Sequence, residues 1–74
     1  MIKFNIQGHR TNELGNNVYS ICLWNNYKVK DILGKKLTIN GNMYKVKEID
    51  RFRTMKQYKE VYKGESVNLV VEEV

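Results

Sequence analysis

Apolar side chains recur at every second position over most of this chain, so strands are its dominant predicted element. Ile2, Phe4 and Ile6 alternate with Lys3, Asn5 and Gln7, the pattern of a half-buried strand. His9 to Asn17 is polar, with Gly8 and Gly15 nearby, and reads as a loop. Val18 to Trp24 is a second strand, followed by a turn at Asn25-Asn26 and a short extended piece from Tyr27 to Ile32. Leu37 and Ile39 point inward on the next strand while Lys36, Thr38 and Asn40 point outward. Asn40-Gly41 is the strongest hairpin signal, because both residues tolerate positive φ. Met43 to Phe52 is the returning strand. Met55, Tyr58 and Tyr62 have helix-like spacing, but a nine-residue segment without a good N-cap predicts a loop with one helical turn. Ser66 to Val71 closes the series, with Val67, Leu69 and Val71 inward. The chain contains no proline, so every strand is free to donate its backbone hydrogen bonds.

Two interruptions of the alternation are informative. Tyr44 and Val46 share a face, yet the next aliphatic residue is Ile49. Strict alternation would expose Ile49, and a β-bulge near Lys47-Glu48 restores it to the core. In Val18 to Trp24 both faces are apolar: Tyr19, Ile21 and Leu23 on one, Val18, Cys22 and Trp24 with Ser20 on the other. That strand is either covered on both sides or carries an exposed adhesive patch.

Composition sets the scale. A chain of 74 residues makes a single domain, residues 1–74. A chain this short buries only about 60% of the surface its unfolded form exposes. Its core admits one layer of inward side chains, with no room for a deep substrate pocket. The expected fold is therefore all-β: a small, closed or partly open antiparallel barrel of about six strands, Greek-key-like. No apolar run is long enough to span a membrane. Met1 to Asn5 lacks the pattern of a secretory signal peptide, and the single Cys22 cannot form an internal disulfide. Both set the expectation of a reducing, cytoplasmic location.

The formal net charge is +5, from 13 basic and 8 acidic residues. This balance favours polyanionic partners, chiefly nucleic acid, although lysine is also a common choice for solubility. Catalytic and metal motifs fail one by one. There is no phosphate-binding GxxxxGK[ST] loop and no GxGxxG opening a helix. His9 is the only histidine and has no partner ligand, so it reads as an exposed loop residue. Cys22 reads as a small buried hydrophobe in preference to a nucleophile. Glu48 and Asp50 lie among Lys45, Lys47, Arg51 and Arg53, which hold carboxylates ionised, the reverse of what a general acid needs. The expectation is a non-catalytic protein with no cofactor, metal or small-molecule substrate.

One stretch remains: Tyr44, Lys45, Lys47, Arg51, Phe52 and Arg53. Lys45 and Lys47 alternate with the core face and line one outer surface. If the bulge resets the phase at Ile49, Phe52 also points outward, and a ring beside cations is a platform for a base. The alternative is that Phe52 closes the barrel end.

Four stretches in this order and spacing resemble domain II of the translational GTPases, the β-barrel that follows the GTP-binding domain in factors of the elongation factor Tu and initiation factor two type. Phe4-Asn5-Ile6-Gln7-Gly8 looks like the family's opening F-x-I-x-G strand. Ile32-Leu33-Gly34-Lys35-Lys36-Leu37-Thr38-Ile39 looks like its hydrophobic-x-G-D-x-V-x-I segment. Val46-Lys47-Glu48-Ile49-Asp50-Arg51-Phe52-Arg53 is similar to its V-x-x-I-E-x-F-R strand, and Tyr62 to Leu69 to its A-G-D/E-x-V-G-L closing strand. In that family the barrel helps to hold the aminoacylated end of a tRNA and can touch ribosomal RNA. The resemblance implies that such a pocket would lie at Phe52, Arg53 and Ser66. The chain departs from the family in having Ile2-Lys3 in place of an acidic pair, Ser66 in place of a frequent asparagine, and an apparent insertion at His9 to Asn17. The expectation is the barrel alone, without the family's GTPase domain and so without GTP hydrolysis.

Two functional expectations follow. The first is an RNA-binding module, with tRNA or the ribosome as partner, acting through Lys45, Lys47, Arg51, Phe52, Arg53 and Ser66. The second is a protein-interaction adaptor or homo-oligomer that uses the doubly apolar strand, with Val18, Cys22 and Trp24 at the interface and Trp24 as its anchor.

Overall fold

A computed structural model describes residues 2–50 and 60–74. These residues form seven strands: β1 (Phe4–Thr11), β2 (Asn17–Leu23), β3 (Asn26–Lys28), β4 (Lys36–Ile39), β5 (Asn42–Asp50), β6 (Val61–Lys63) and β7 (Ser66–Glu73). A single 3-10 turn, Val29–Asp31, follows β3. Five strands make one antiparallel sheet in the order β1-β2-β7-β5-β4, and β3 pairs with β6 in a separate ribbon. The architecture is all-β, a partly open half-barrel with β1 and β4 as the edges of its large sheet.

The interior is built by alternation. Ile21 and Leu23 from β2, Leu69 and Val71 from β7, Val46 and Ile49 from β5, and Leu37 and Ile39 from β4 all face one core. Tyr62 of β6 and Ile32, beyond the 3-10 turn, are buried in the same cluster and cover the concave face of the sheet. The expected bulge is present. Val46 pairs with Val71 but Glu48 pairs with Val70, so Lys47 is the additional residue and Ile49 returns to the interior at 3% exposure.

The hairpin expected at Asn40-Gly41 joins β4 to β5, with φ of 52° at Asn40 and 84° at Gly41. A Cβ at Gly41 would meet nothing within 4 Å, so only backbone strain opposes a side chain there. Gly41→Ala is expected to lose about 1–2 kcal/mol, the cost of a left-handed conformation in a residue with a Cβ. Urea unfolding followed by circular dichroism measures it.

Several expectations are corrected. His9 to Asn17 is not a loop throughout: β1 continues to Thr11, and the hairpin turn occupies only residues 12–16. A second register shift, between Ile6 and Gly8, lets the ladder continue after the alternation breaks. The turn is organised by Asn12, whose Oδ1 accepts the N–H groups of Leu14 at 3.0 Å and Asn16 at 2.9 Å. Ile6, expected inside, is 43% exposed on β1, an edge strand of the sheet among the described residues. Tyr27 to Ile32 is half strand and half 3-10 turn, and Val61–Lys63 is a strand where a loop was expected. The expected helical turn from Met55 and the end of the strand at Phe52 lie outside the described residues.

Of the two alternatives for β2, coverage on both sides holds at Val18. Val18 is 1% exposed and lies opposite Val70, itself 2% exposed. Neither belongs to the main core cluster. Arg10 and Glu48 flank the two valines in the same cross-strand row, where long side-chain stems shield apolar surface. Ser20 and Asn68 form the next row, the Ser20 hydroxyl donating to Asn68 Oδ1 at 2.5 Å. Cys22 is half-buried, and only Trp24, beyond the strand end, is well exposed at 58%. No continuous apolar patch runs from Val18 to Trp24.

Candidate nucleic-acid interface

The geometry of the basic surface begins with the two-residue turn at Asn40-Gly41. It pairs Ile39 with Asn42, Thr38 with Met43, Leu37 with Tyr44 and Lys36 with Lys45. Alternation then sends Leu37, Ile39, Tyr44 and Val46 inward and Lys36 and Lys45 outward together. The bulge adds Lys47 to the exposed side of β5. Lys35 is held alongside, because its carbonyl accepts the Val46 N–H at 2.9 Å while the Gly34 N–H donates to the Val46 carbonyl, also at 2.9 Å. Lys35, Lys36, Lys45 and Lys47 are thus exposed around one stretch of β5.

This placement opposes folding locally. Residues directly across an antiparallel pair have Cβ atoms about 4.5–5.5 Å apart, and like charges there are destabilising. Glu72 lies across from Lys45 on the opposite side, in β7. The row Lys36, Lys45, Glu72 therefore keeps an excess of positive charge. Lys36 on β4, with Lys35 just before it, also blunts an edge strand against pairing with other chains.

Lys45 and Lys47 share the outer surface, as the alternation predicts. Arg51, Phe52 and Arg53 lie outside the described residues. Ser66 is not near Lys45. It begins β7 opposite Cys22, whereas Lys45 pairs with Glu72 near the far end of the same strand. Six residues of extended chain separate the two positions by roughly 20 Å. Ser66 instead shares its end of the sheet with Cys22 and Trp24. Val18, being buried, offers no surface to a partner.

Sequence reasoning missed Lys35 and Lys36 as members of the basic cluster. The signal was available: a two-residue turn at Asn40-Gly41 dictates that Lys36 faces Lys45. It also missed a ring cluster that runs from the exposed His9 to the buried Tyr19 and Tyr44. His9 stacks on Tyr19 with centroids 4.5 Å apart, and Tyr19 meets Tyr44 at 5.6 Å. His9 Nε2 lies 2.9 Å from Asn17 Oδ1. These rings come from β1, β2 and β5; His9 and Tyr19 are cross-strand partners, and the Tyr19–Tyr44 contact joins β2 to β5, which are separated by β7 in the sheet.

The Tyr19 phenol is held above the usual tyrosine value by its hydrogen bond with Tyr44, then by burial and by the negative charge of Tyr44 and Glu73. Folding thus favours the neutral phenol. Its contribution to stability is fully present below about pH 10, the unfolded value, and is lost as pH rises through the higher folded value. Thermal midpoints of wild type and Tyr19→Phe, measured from neutral to strongly alkaline pH, are expected to converge as the pH rises. Parallel curves would remove this role.

Among the described residues, no group of three or more His, Cys, Asp or Glu side chains is placed to hold a metal ion. No helix among them is long and apolar enough to cross a membrane. No protein-family model, curated protein or solved structure matches this chain.

Proposed function

We propose that this chain is a non-catalytic RNA-binding module, a barrel of the translation-factor domain II type acting in the cytoplasm on tRNA or ribosomal RNA. The observation that carries the reading is the directly opposed pair Lys36 and Lys45, with Lys35 and Lys47 beside it. A sheet that sets like charges face to face gives up stability, and a phosphate backbone is a ligand that relieves the repulsion. The net charge of +5 and the family resemblance support the same reading. The adaptor reading rests now on Trp24, with Val18 buried and Cys22 half-buried.

The test is a titration of the protein into labelled single-stranded and tRNA-like RNA at low salt, followed by anisotropy. Saturable binding that weakens steeply with salt is expected. No binding to either RNA overturns the proposal, and recovery of one protein partner after nuclease treatment would favour the adaptor.

A further inference from the structure

Trp24 is the one exposed aromatic residue of the Trp, Tyr and Phe type among the described residues, at 58% exposure. It follows the last residue of β2, and its surroundings are set by backbone hydrogen bonds. Its N–H donates to the Lys3 carbonyl at 3.0 Å. On the other side, the Gly64 N–H donates to the Asn25 carbonyl at 3.3 Å, and Asn26 pairs with Lys63. Backbone bonds thus set Trp24 beside Lys3, and place Lys63 across from Asn26 two residues further on; Lys3, Lys63, Asn25 and Asn26 are all exposed. The acidic residue of this region is Glu65. Its carbonyl accepts the Leu23 N–H at 3.0 Å, and its Oε2 accepts the Lys63 backbone N–H at 3.1 Å, which turns the carboxylate into the β6–β7 turn.

Protein interfaces bury their aromatic anchors in a core depleted of charge. Among the described residues the surroundings of Trp24 are the reverse: exposed amides and lysines, with the half-buried Tyr27 accepting the Lys3 N–H through its hydroxyl and the apolar Val18 withdrawn into the sheet. A flat ring flanked by cations matches a nucleobase with its adjoining phosphates. We propose that Trp24 is a stacking platform for an unpaired base of single-stranded RNA, with Lys3 and Lys63 on the flanking phosphates. This rests on the RNA-binding reading and adds a second contact, at the end of the sheet away from Lys36 and Lys45. A paired base has both faces covered by its neighbours, so the platform accepts single strands and rejects duplex. The lysine row makes no such distinction.

Trp24 is the only tryptophan of the chain, so its emission reports its own surface. The full chain is titrated with an oligoadenylate of about ten nucleotides, within the range of single-strand sites on small barrels, and with an RNA duplex of the same length. Anisotropy and tryptophan emission are read together. The single strand is expected to quench Trp24, and the duplex to bind without quenching. Trp24→Ala should lose about 5- to 150-fold in single-strand affinity, the worth of one stacked base, while duplex affinity holds; Trp24→Phe should retain most of the binding. Single-strand binding with unchanged emission, or with equal affinity in Trp24→Ala, overturns the platform and leaves the RNA reading standing. Absence of all RNA binding overturns both. Emission that shifts with protein concentration alone, together with sedimentation as a dimer that Trp24→Ala abolishes, assigns the ring to self-association and also overturns the platform.

Discussion

Ile21→Ala is expected to destabilise the fold by about 2–5 kcal/mol, from lost apolar transfer and the cavity left behind. Ile21 is 0% exposed, and its strand is paired on both sides, with β1 and β7. A chain of 74 residues has a total stability of only about 4–11 kcal/mol. The variant should therefore be largely unfolded at physiological temperature if the parent lies at the low end of that range. Urea denaturation followed by circular dichroism gives the loss directly. Trp24→Ala, three positions along, should change stability by no more than about 0.5 kcal/mol, because most of that ring is already in water. Equal losses at the two positions would contradict the assignment of β2 faces. The same control shows that any RNA-binding defect of Trp24→Ala is not an unfolding defect.

Removing the opposed charges should lower both the affinity and its dependence on salt. Each phosphate neutralised on a single strand contributes a slope of about 0.7 in log affinity against log salt. The double variant Lys36→Gln/Lys45→Gln is expected to lower the slope by about 1.4, which is an affinity loss of about 25-fold at 0.1 M salt. Stability should stay nearly level, since the substitution removes the Lys36–Lys45 repulsion together with the attraction of Lys45 to Glu72. Anisotropy titrations over a series of salt concentrations, with thermal melts alongside, separate the two effects. An unchanged slope would show that RNA does not lie on these lysines. A slope that falls together with a large loss of stability would show that the pair acts through the fold.

The two predictions draw on parts of the molecule that differ in how far the sequence reveals them. Period-two alternation identifies Leu37, Ile39, Tyr44, Val46, Leu69 and Val71 as interior, and all six are buried. The bulge at Lys47 was legible from the three-residue step between Val46 and Ile49, because a ladder can keep both inside only by admitting an extra residue. The Asn40-Gly41 turn was legible from its chemistry. With that turn the pairing of Lys36 and Lys45 follows by counting, although the count has to be made. The continuation of β1 through His9 to Thr11 was hidden, since polar residues on an edge strand look like a loop and the shift at Ile6 to Gly8 breaks the period.

By itself, then, the sequence determined an all-β domain, its principal hairpin, its inward faces and its excess of positive charge. These are local properties: a period, a turn type, a sum. Only the tertiary structure decided which strands are neighbours. Inserting β7 between β2 and β5 buries Val18 against Val70 and separates Ser66 from Lys45 by most of the length of one strand. The same arrangement brings His9, Tyr19 and Tyr44 together from three strands and leaves Trp24 exposed beside Lys3 at the end of β2. Such juxtapositions depend on contacts far apart in the chain, where the alternation of one strand carries no information about its partner.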